Sequence, residues 1–311
     1  MKLQSAIKSC LLFAFALSQI QAQMIVPEKR TTMEGEKWGY KNMETGEKTT
    51  KALYDIAYDF KGNFAVAKKG GKLGYLNRKG KEITPFKYDV AEDFINGFAK
   101  VQVGEGKGFI DSTGKEICDL KFIRLRNFQE GFATASLEEF GRTGFINTKG
   151  VMSSRFYFDN AGSFNEGLAW VEFKGKVGFI NKNGDEIIKP TYDWTQESGY
   201  KNGFTLVMKK QKYGCIDKMG KEFIPLVYSE VKRFGPDSTL ILVKNNEGKF
   251  GLYDKKGAKL IPELFGKISD YQVYDGKMYA SVFRNPNDDV FIYINDKGKC
   301  EEFNGKPCPE E

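Results

Sequence analysis

A glycine returns at positions 39, 74, 108, 144, 178, 214 and 251, at spacings of 35, 34, 36, 34, 36 and 37 residues. A fixed period of that length is the mark of a repeat architecture, in which one supersecondary unit recurs and buries its apolar face against its neighbours. This register constrains the fold more than any other feature of the chain. A single copy is too small to hold a core of its own, so the copies have to stack.

The slots around the glycine read as short strands and turns. Gly74-Tyr-Leu-Asn77, Gly108-Phe-Ile-Asp111, Gly144-Phe-Ile-Asn147 and Gly178-Phe-Ile-Asn181 each place aromatic and branched residues before Asn or Asp, which predicts a strand that stops at a turn. Three residues later come Gly80, Gly114, Gly150, Gly184, Gly220 and Gly257. An Asx side chain that accepts a backbone N–H two residues on, followed by a glycine with positive φ, closes a type I hairpin turn. The first copy, Asn42 to Gly46, is one residue longer and predicts a longer turn. A second strand follows (Glu82-Ile-Thr, Glu116-Ile-Cys, Glu186-Ile-Ile, Glu222-Phe-Ile) and is expected to end at Pro85, Pro190, Pro225 or Pro262, because proline lacks a ladder donor. Next come Tyr-Asp pairs at 54, 88 and 192, an aromatic-x-x-Gly turn, and a third strand such as Leu168-Ala-Trp-Val-Glu-Phe173. Basic links such as Lys174-Gly-Lys176 lead to the next register glycine.

These residues closely resemble the WG-repeat family, bacterial proteins built from Trp-Gly-Tyr/Phe-Ile-Asp-x-x-Gly-Lys units with Pro-x-Tyr-Asp and Phe-x-x-Gly-x-Ala segments. The resemblance covers roughly residues 36 to 300 and implies a β-repeat scaffold with no catalytic residues to carry over. Only Trp38 keeps the tryptophan before the register glycine; the other copies have Leu73, Lys107, Thr143, Val177, Tyr213 and Phe250 there. Phe291 to Asn295, with Gly298, reads as a degenerate eighth copy, as terminal repeats often are.

Residues 1–22 read as a secretory signal peptide: Lys2 and Lys8 precede the apolar run Cys10 to Leu17, and small residues follow. Residues 23–303 are expected to form one repeat domain and 304–311 a C-terminal tail. No other apolar run is long enough for a membrane helix. The product is thus expected outside the cytoplasm: periplasmic, surface-bound or secreted. The chain carries 48 Lys and Arg against 41 Asp and Glu, a formal charge of +7. The signs alternate along the sequence, so there is no basic tract of the kind that tracks nucleic acid. Cys118 and Cys215 fall in strand slots and read as buried thiols; Cys300 and Cys308 bracket a short loop and could form a disulfide on export.

Histidine is absent, which removes Ser-His-Asp and Cys-His catalysis and every histidine metal site. Gly104-Glu-Gly-Lys-Gly108 has no following helix pattern and reads as a repeat link, not a phosphate loop. No cofactor is expected. The recurring glutamates at 82, 116, 186 and 222 occupy one repeated slot, which points to a structural role, whereas an active site is usually a single deviation from the repeat. The expected class is all-β, with three-stranded repeats of about 35 residues. A propeller-like toroid is favoured, with an open β-superhelix as the alternative. The expected function is a non-catalytic exported scaffold for a protein or glycan. The alternative is a propeller-type hydrolase that uses paired carboxylates. Trp170 and Trp194 have no counterpart in the other copies and are the candidate contact residues, with Trp38 a third.

Overall fold

A computed structural model describes residues 25–152, 157–274, 277–286 and 291–301. The expected signal peptide, the tail from 304 and Cys308 lie outside the described residues, as does the side chain of Cys300. The chain falls into two compact units, Met1–Arg155 and Phe156–Glu311. Among the described residues every regular element is a β-strand, and all pairings are antiparallel.

The first unit holds four small sheets in chain order. Sheet 1 is Ile25–Thr32 with Gly35–Asn42. Sheet 2 is Ile56–Ala57, Phe64–Lys69 and Lys72–Asn77; sheet 3 is Val90–Ala91, Phe98–Val103 and Gly106–Asp111. Sheet 4 is Arg124–Leu125, Phe132–Ser136 and Thr143–Asn147. The second unit holds sheet 5 (Asn160–Ala161, Leu168–Phe173, Lys176–Asn181, Glu186–Tyr192) and sheet 6 (Trp194–Thr195, Phe204–Lys209, Lys212–Asp217, Glu222–Tyr228). Sheet 7 follows (Glu230–Phe234, Leu240–Lys244, Phe250–Tyr253, Lys259–Phe265), and then sheet 8, which includes Lys277–Phe283 and Phe291–Asn295.

Two expectations change here. Sheets 2 to 4 have three strands and sheets 5 to 7 have four: the short strand after Tyr-Asp or its equivalent is present in all six, and in sheets 5 to 7 it is joined by a full outer strand such as Glu186–Tyr192. The sheet also straddles two sequence repeats. The basic link read as a connector is a two-residue hairpin turn: Lys174 and Gly175 both have positive φ, 52° and 71°, between the paired Phe173 and Lys176. Primed turns of this kind match the twist of the strands they join. The last strand of one copy therefore pairs with the first strand of the next.

The Asx turns form as expected. Asn181 Oδ1 accepts the N–H of Asn183 and of Asp185, both at 2.9 Å, and Gly184 sits at φ 89°. In the longer first copy the Gly46 N–H reaches Asn42 O at 2.9 Å. Pro190 lies inside its strand, where Val177 pairs with Tyr192 and Phe179 with Ile188, so the chain bulges opposite Gly178. A bulge residue makes no ladder bond, which suits proline.

The core lies between successive sheets. Ala65, Ala67, Tyr40 and Tyr54 fill the space between sheets 1 and 2, and Val66, Tyr75, Ala99 and Ile110 that between sheets 2 and 3. In the second unit Phe179, Tyr200, Val207 and Ile216 join sheets 5 and 6; Leu206, Cys215, Ile241 and Val243 join sheets 6 and 7. Both faces of an inner sheet are thus apolar, as stacked blade-like sheets require. Polar clasps repeat alongside. The Asp193 carboxylate takes the Lys176 ammonium of sheet 5 on Oδ1 and the Lys210 N–H of the sheet 6 turn, at 2.6 Å, on Oδ2. Asp55 does the same with Lys37 and Gly71, and Asp89 with Lys72 and Gly104. The lysine first, then the turn N–H, holds the Asp55, Asp89 and Asp193 carboxyls below the usual range. Sheet 4 departs from this rule: Ile123 stands in the aspartate slot, and a longer loop, Leu137 to Arg142, replaces the tight turn.

Candidate contact surface

The three tryptophans occupy different environments. Trp170 is in the core between sheets 5 and 6, 8% exposed. Its indole N–H donates to Glu197 O at 3.0 Å, and one side of the ring lies against Gly162, where a Cβ would sit 2.1 Å from Nε1. Trp170 is therefore a packing residue, and its assignment to a ligand surface is corrected on that ground: its donor is used and its faces are covered. The sequence signal was Gly162, since the same position four residues after the aromatic of the Tyr-Asp slot carries Tyr58, Glu92, Arg126, Gln196 and Lys232 in the other copies. Trp38 is partly buried beside Tyr40 and Tyr54, and its backbone bridges Tyr54.

Trp194 is different. It is 40% exposed and opens the first, short strand of sheet 6. Directly opposed residues of antiparallel strands share a face. Trp194 pairs with Met208, Met208 with Tyr213 and Tyr213 with Tyr228. These four side chains form a row across sheet 6, on the face that also carries Leu206 and Cys215 and looks toward sheet 7. The Trp194 and Tyr213 rings meet edge to face with centroids 5.9 Å apart. The equivalent rows elsewhere are mixed: Ile56, Lys68, Leu73 and Tyr88 in sheet 2; Val90, Gln102, Lys107 and Phe122 in sheet 3; Asn160, Glu172, Val177 and Tyr192 in sheet 5; Glu230, Lys244, Phe250 and Phe265 in sheet 7. Tyr213 takes the slot that Trp38 fills in sheet 1.

The first unit has a cleft of about 440 Å³ lined by Tyr58, Asp59, Lys61, Val66, Leu73, Ala91 and Asp93. Its lining mixes apolar side chains with charged ones and includes two carboxylates, Asp59 and Asp93, from corresponding positions of consecutive copies. Lys61 lies 3.8 Å from Asp93 Oδ2.

The repeated glutamates bind within the stack. Tyr54 donates to Glu82 at 3.2 Å and Tyr88 to Glu116 at 2.9 Å, each phenol reaching the following copy. In the last copies the arrangement shifts: Lys259 stands in the glutamate slot, and Glu263 receives Tyr228, Tyr253 and Lys259 at 2.7, 2.6 and 2.7 Å. Burial would raise the Glu263 carboxyl, but the bonds from Lys259, Tyr253 and Tyr228 outweigh it and hold it at about 2. Sequence reasoning missed this cluster, because its signal was a lysine in an acidic slot. Cys215 is buried, and burial pushes its thiol up to about 12; Cys118 is only half-buried. Among the described residues no His, Cys, Asp and Glu group is placed to hold a metal, and no helix is long and apolar enough to cross a membrane.

No curated protein matches the chain. Solved structures it resembles include a eukaryotic initiation factor, at 12% identity over 91% of this chain and 85% of that one, with a TM-score of 0.39. Hsv2 of Kluyveromyces lactis is 9% identical over 75% and 90%, with a TM-score of 0.36. AztD of Citrobacter koseri is 10% identical over 89% and 92%, with a TM-score of 0.30. Scores this low carry no inference about function. The model of the WG containing repeat matches at residues 38–72, 74–107, 108–139, 144–176, 178–213 and 213–249. With most of its length accounted for by those six matches, the chain belongs to the WG-repeat family.

Proposed function

We propose that this protein is an exported, non-catalytic repeat scaffold that binds a protein or glycan at the cell envelope through the row headed by Trp194 on sheet 6. The observation that carries the reading is the half-exposed indole of Trp194 beside Met208 and Tyr213, a row whose counterparts in sheets 2, 3, 5 and 7 are interrupted by charged or polar residues. A large flat apolar face with one donor suits stacking on a sugar ring or filling a pocket on a partner. The basic start and short apolar run of the first 22 residues support export. The test is a glycan array and an envelope pull-down with wild type and Trp194→Ala. Loss of a bound glycan or partner in a variant that still folds supports the reading; retention overturns it.

A second reading, hydrolysis by paired carboxylates, is favoured by one observation: Asp59 and Asp93 line the same cleft. Reducing-end release from polysaccharides, abolished in both Asp59→Asn and Asp93→Asn, would establish it. Absence of release by wild type would remove it.

A further inference from the structure

The cleft of the first unit opens where another pair of sheets is filled. Val66 pairs with Tyr75, the residue after a register glycine, as Trp170 pairs with Phe179. The two residues hold one slot in cores that are otherwise alike: Tyr75, Val101 and Ile110 between sheets 2 and 3 answer to Phe179, Val207 and Ile216 between sheets 5 and 6. Between sheets 5 and 6 the indole takes the space, with its N–H on the Glu197 carbonyl. Between sheets 2 and 3 the side chain is valine, and it lines a cleft of about 440 Å³. Counted from the Tyr-Asp pair, Asp93 stands in the Glu197 slot. Tyr58 stands where Gly162 makes room for the Trp170 ring, so an occupant of the cleft has to lie clear of the Tyr58 Cβ.

Sheets 3 and 7 put a cation of the chain itself at these slots. Lys100, the Val66 counterpart in sheet 3, sets its ammonium 2.9 Å from Glu92 Oε1. Arg233, the Asp93 counterpart in sheet 7, reaches back to sheet 6. Its guanidinium carbon is 3.9 Å from the centre of the Phe204 ring, and Nη2 donates to Phe204 O at 2.7 Å. The charges of the cleft are of the other sign: Asp59 and Asp93 line it with one ammonium, that of Lys61, 3.8 Å from Asp93 Oδ2. Val66 belongs to the apolar core between sheets 2 and 3, Leu73 and Ala91 pack on that core, and Tyr58 adds a half-exposed ring. The cleft thus offers apolar surface and surplus negative charge in a volume ordinary for a small ligand.

We propose that this cleft binds an aromatic amine, with its ring against Val66, Leu73 and Tyr58 and its ammonium group on Asp59 and Asp93. An anionic ring compound would meet the same carboxylates unfavourably, and an aliphatic amine would leave the apolar lining uncovered. The site shares no residue with the Trp194 row. It uses the two aspartates as charge partners, not as acid and base, so it depends on neither the Trp194 contact nor hydrolysis.

The probes are tryptamine, 3-methylindole, which keeps the ring without the charge, and indole-3-propionate, which reverses the charge, each titrated calorimetrically into the full chain. Tryptamine is expected to bind about tenfold more tightly than 3-methylindole, the gain from two exposed ionic contacts, and the margin should shrink as salt rises. Indole-3-propionate should bind more weakly than either. Asp59→Asn with Asp93→Asn should bring tryptamine down to the affinity of 3-methylindole. Tyr58→Gly with Val66→Trp copies the Gly162 and Trp170 pair, fills the cleft from within, and should abolish tryptamine binding in a protein that still melts cooperatively. Absence of tryptamine binding by wild type overturns the proposal, as does equal affinity for tryptamine and 3-methylindole. Tryptamine affinity unchanged by the two Asn substitutions overturns it as well. Asp59 and Asp93 are exposed, so that comparison decides the matter even where the filled variant fails to fold.

Discussion

Gly178 lies directly beneath Ile188: a Cβ at position 178 would sit 2.4 Å from the Ile188 carbonyl oxygen and 2.7 Å from the Pro190 nitrogen. At Gly178 the register glycine is required because the bulged strand crosses over it, not because of positive φ. Gly214 repeats the geometry, 2.5 Å from Ile224 O.

Gly178→Ala is therefore expected to destabilise the protein by about 3 kcal/mol, the cost of forcing backbone apart in a packed sheet. Gly74→Ala should cost about 1 kcal/mol, as its added methyl would meet the Phe86 ring at 3.0 Å and a side chain can yield. Urea unfolding of both variants checks the order. If Gly178→Ala unfolds at the wild-type midpoint, close backbone approach is not what the register glycine supplies.

Asn181→Ala removes the acceptor of two turn N–H groups, those of Asn183 and Asp185. Both donors are exposed and water can replace the lost oxygen, so the loss should be about 1 kcal/mol. A change in midpoint as large as that of Gly178→Ala would contradict this account of the turn.

The tryptophans are expected to separate spectroscopically. Trp194 should be quenched by acrylamide and iodide, and Trp170 should resist both, being 8% exposed with its N–H bonded. Gly162→Ala would drive a methyl into the Trp170 indole. It should shift the buried emission and lower stability by about 3 kcal/mol. Unchanged emission in Gly162→Ala would place Trp170 elsewhere.

Glu263 contributes to the stability of the protein in acid. Its carboxyl titrates at about 2 in the folded protein against an ordinary 4.5, so its stabilisation is complete above 4.5 and is lost as pH falls toward 2. Solvent screening leaves this at about 1 kcal/mol. Burial pushes the Tyr253 phenol up to about 12, and the stabilisation it gives is present below pH 10 and is lost as pH rises through 12. Glu263→Gln should flatten the melting temperature between pH 2 and 4.5 relative to wild type. Parallel curves would show that the cluster contributes nothing to the acid slope.

The repeat register, the Asx turns and the all-β class were legible because each depends on residues close in sequence. Asn77 and Gly80, or Asn181 and Gly184, are a turn wherever they occur. The sheet boundaries were not legible, because the link Lys174-Gly175 looks like a connector until its φ values show a hairpin. The placement of Pro190 was missed for a related reason: the bulge exists only relative to Gly178 on another strand. Trp170 and Trp194 look equally singular in sequence. What separates them is a missing side chain at Gly162, eight residues before Trp170, and a pairing register that brings Met208 and Tyr213 beside Trp194.

A sheet that takes its strands from two successive copies has a genetic consequence. The family repeat boundary between residues 176 and 178 falls within the pair of strands that forms the middle of sheet 5. A duplication or deletion of one whole period, cut at matching points, rejoins the leading half of one sheet to the trailing half of another. Most slots are refilled by a residue of the same kind, and an aspartate such as Asp193 that reaches forward to the next turn still finds one. Unequal crossing-over can thus lengthen or shorten such a gene without producing an orphaned strand, and the single-copy substitutions, such as the one at Trp194, are what such an exchange would erase or double.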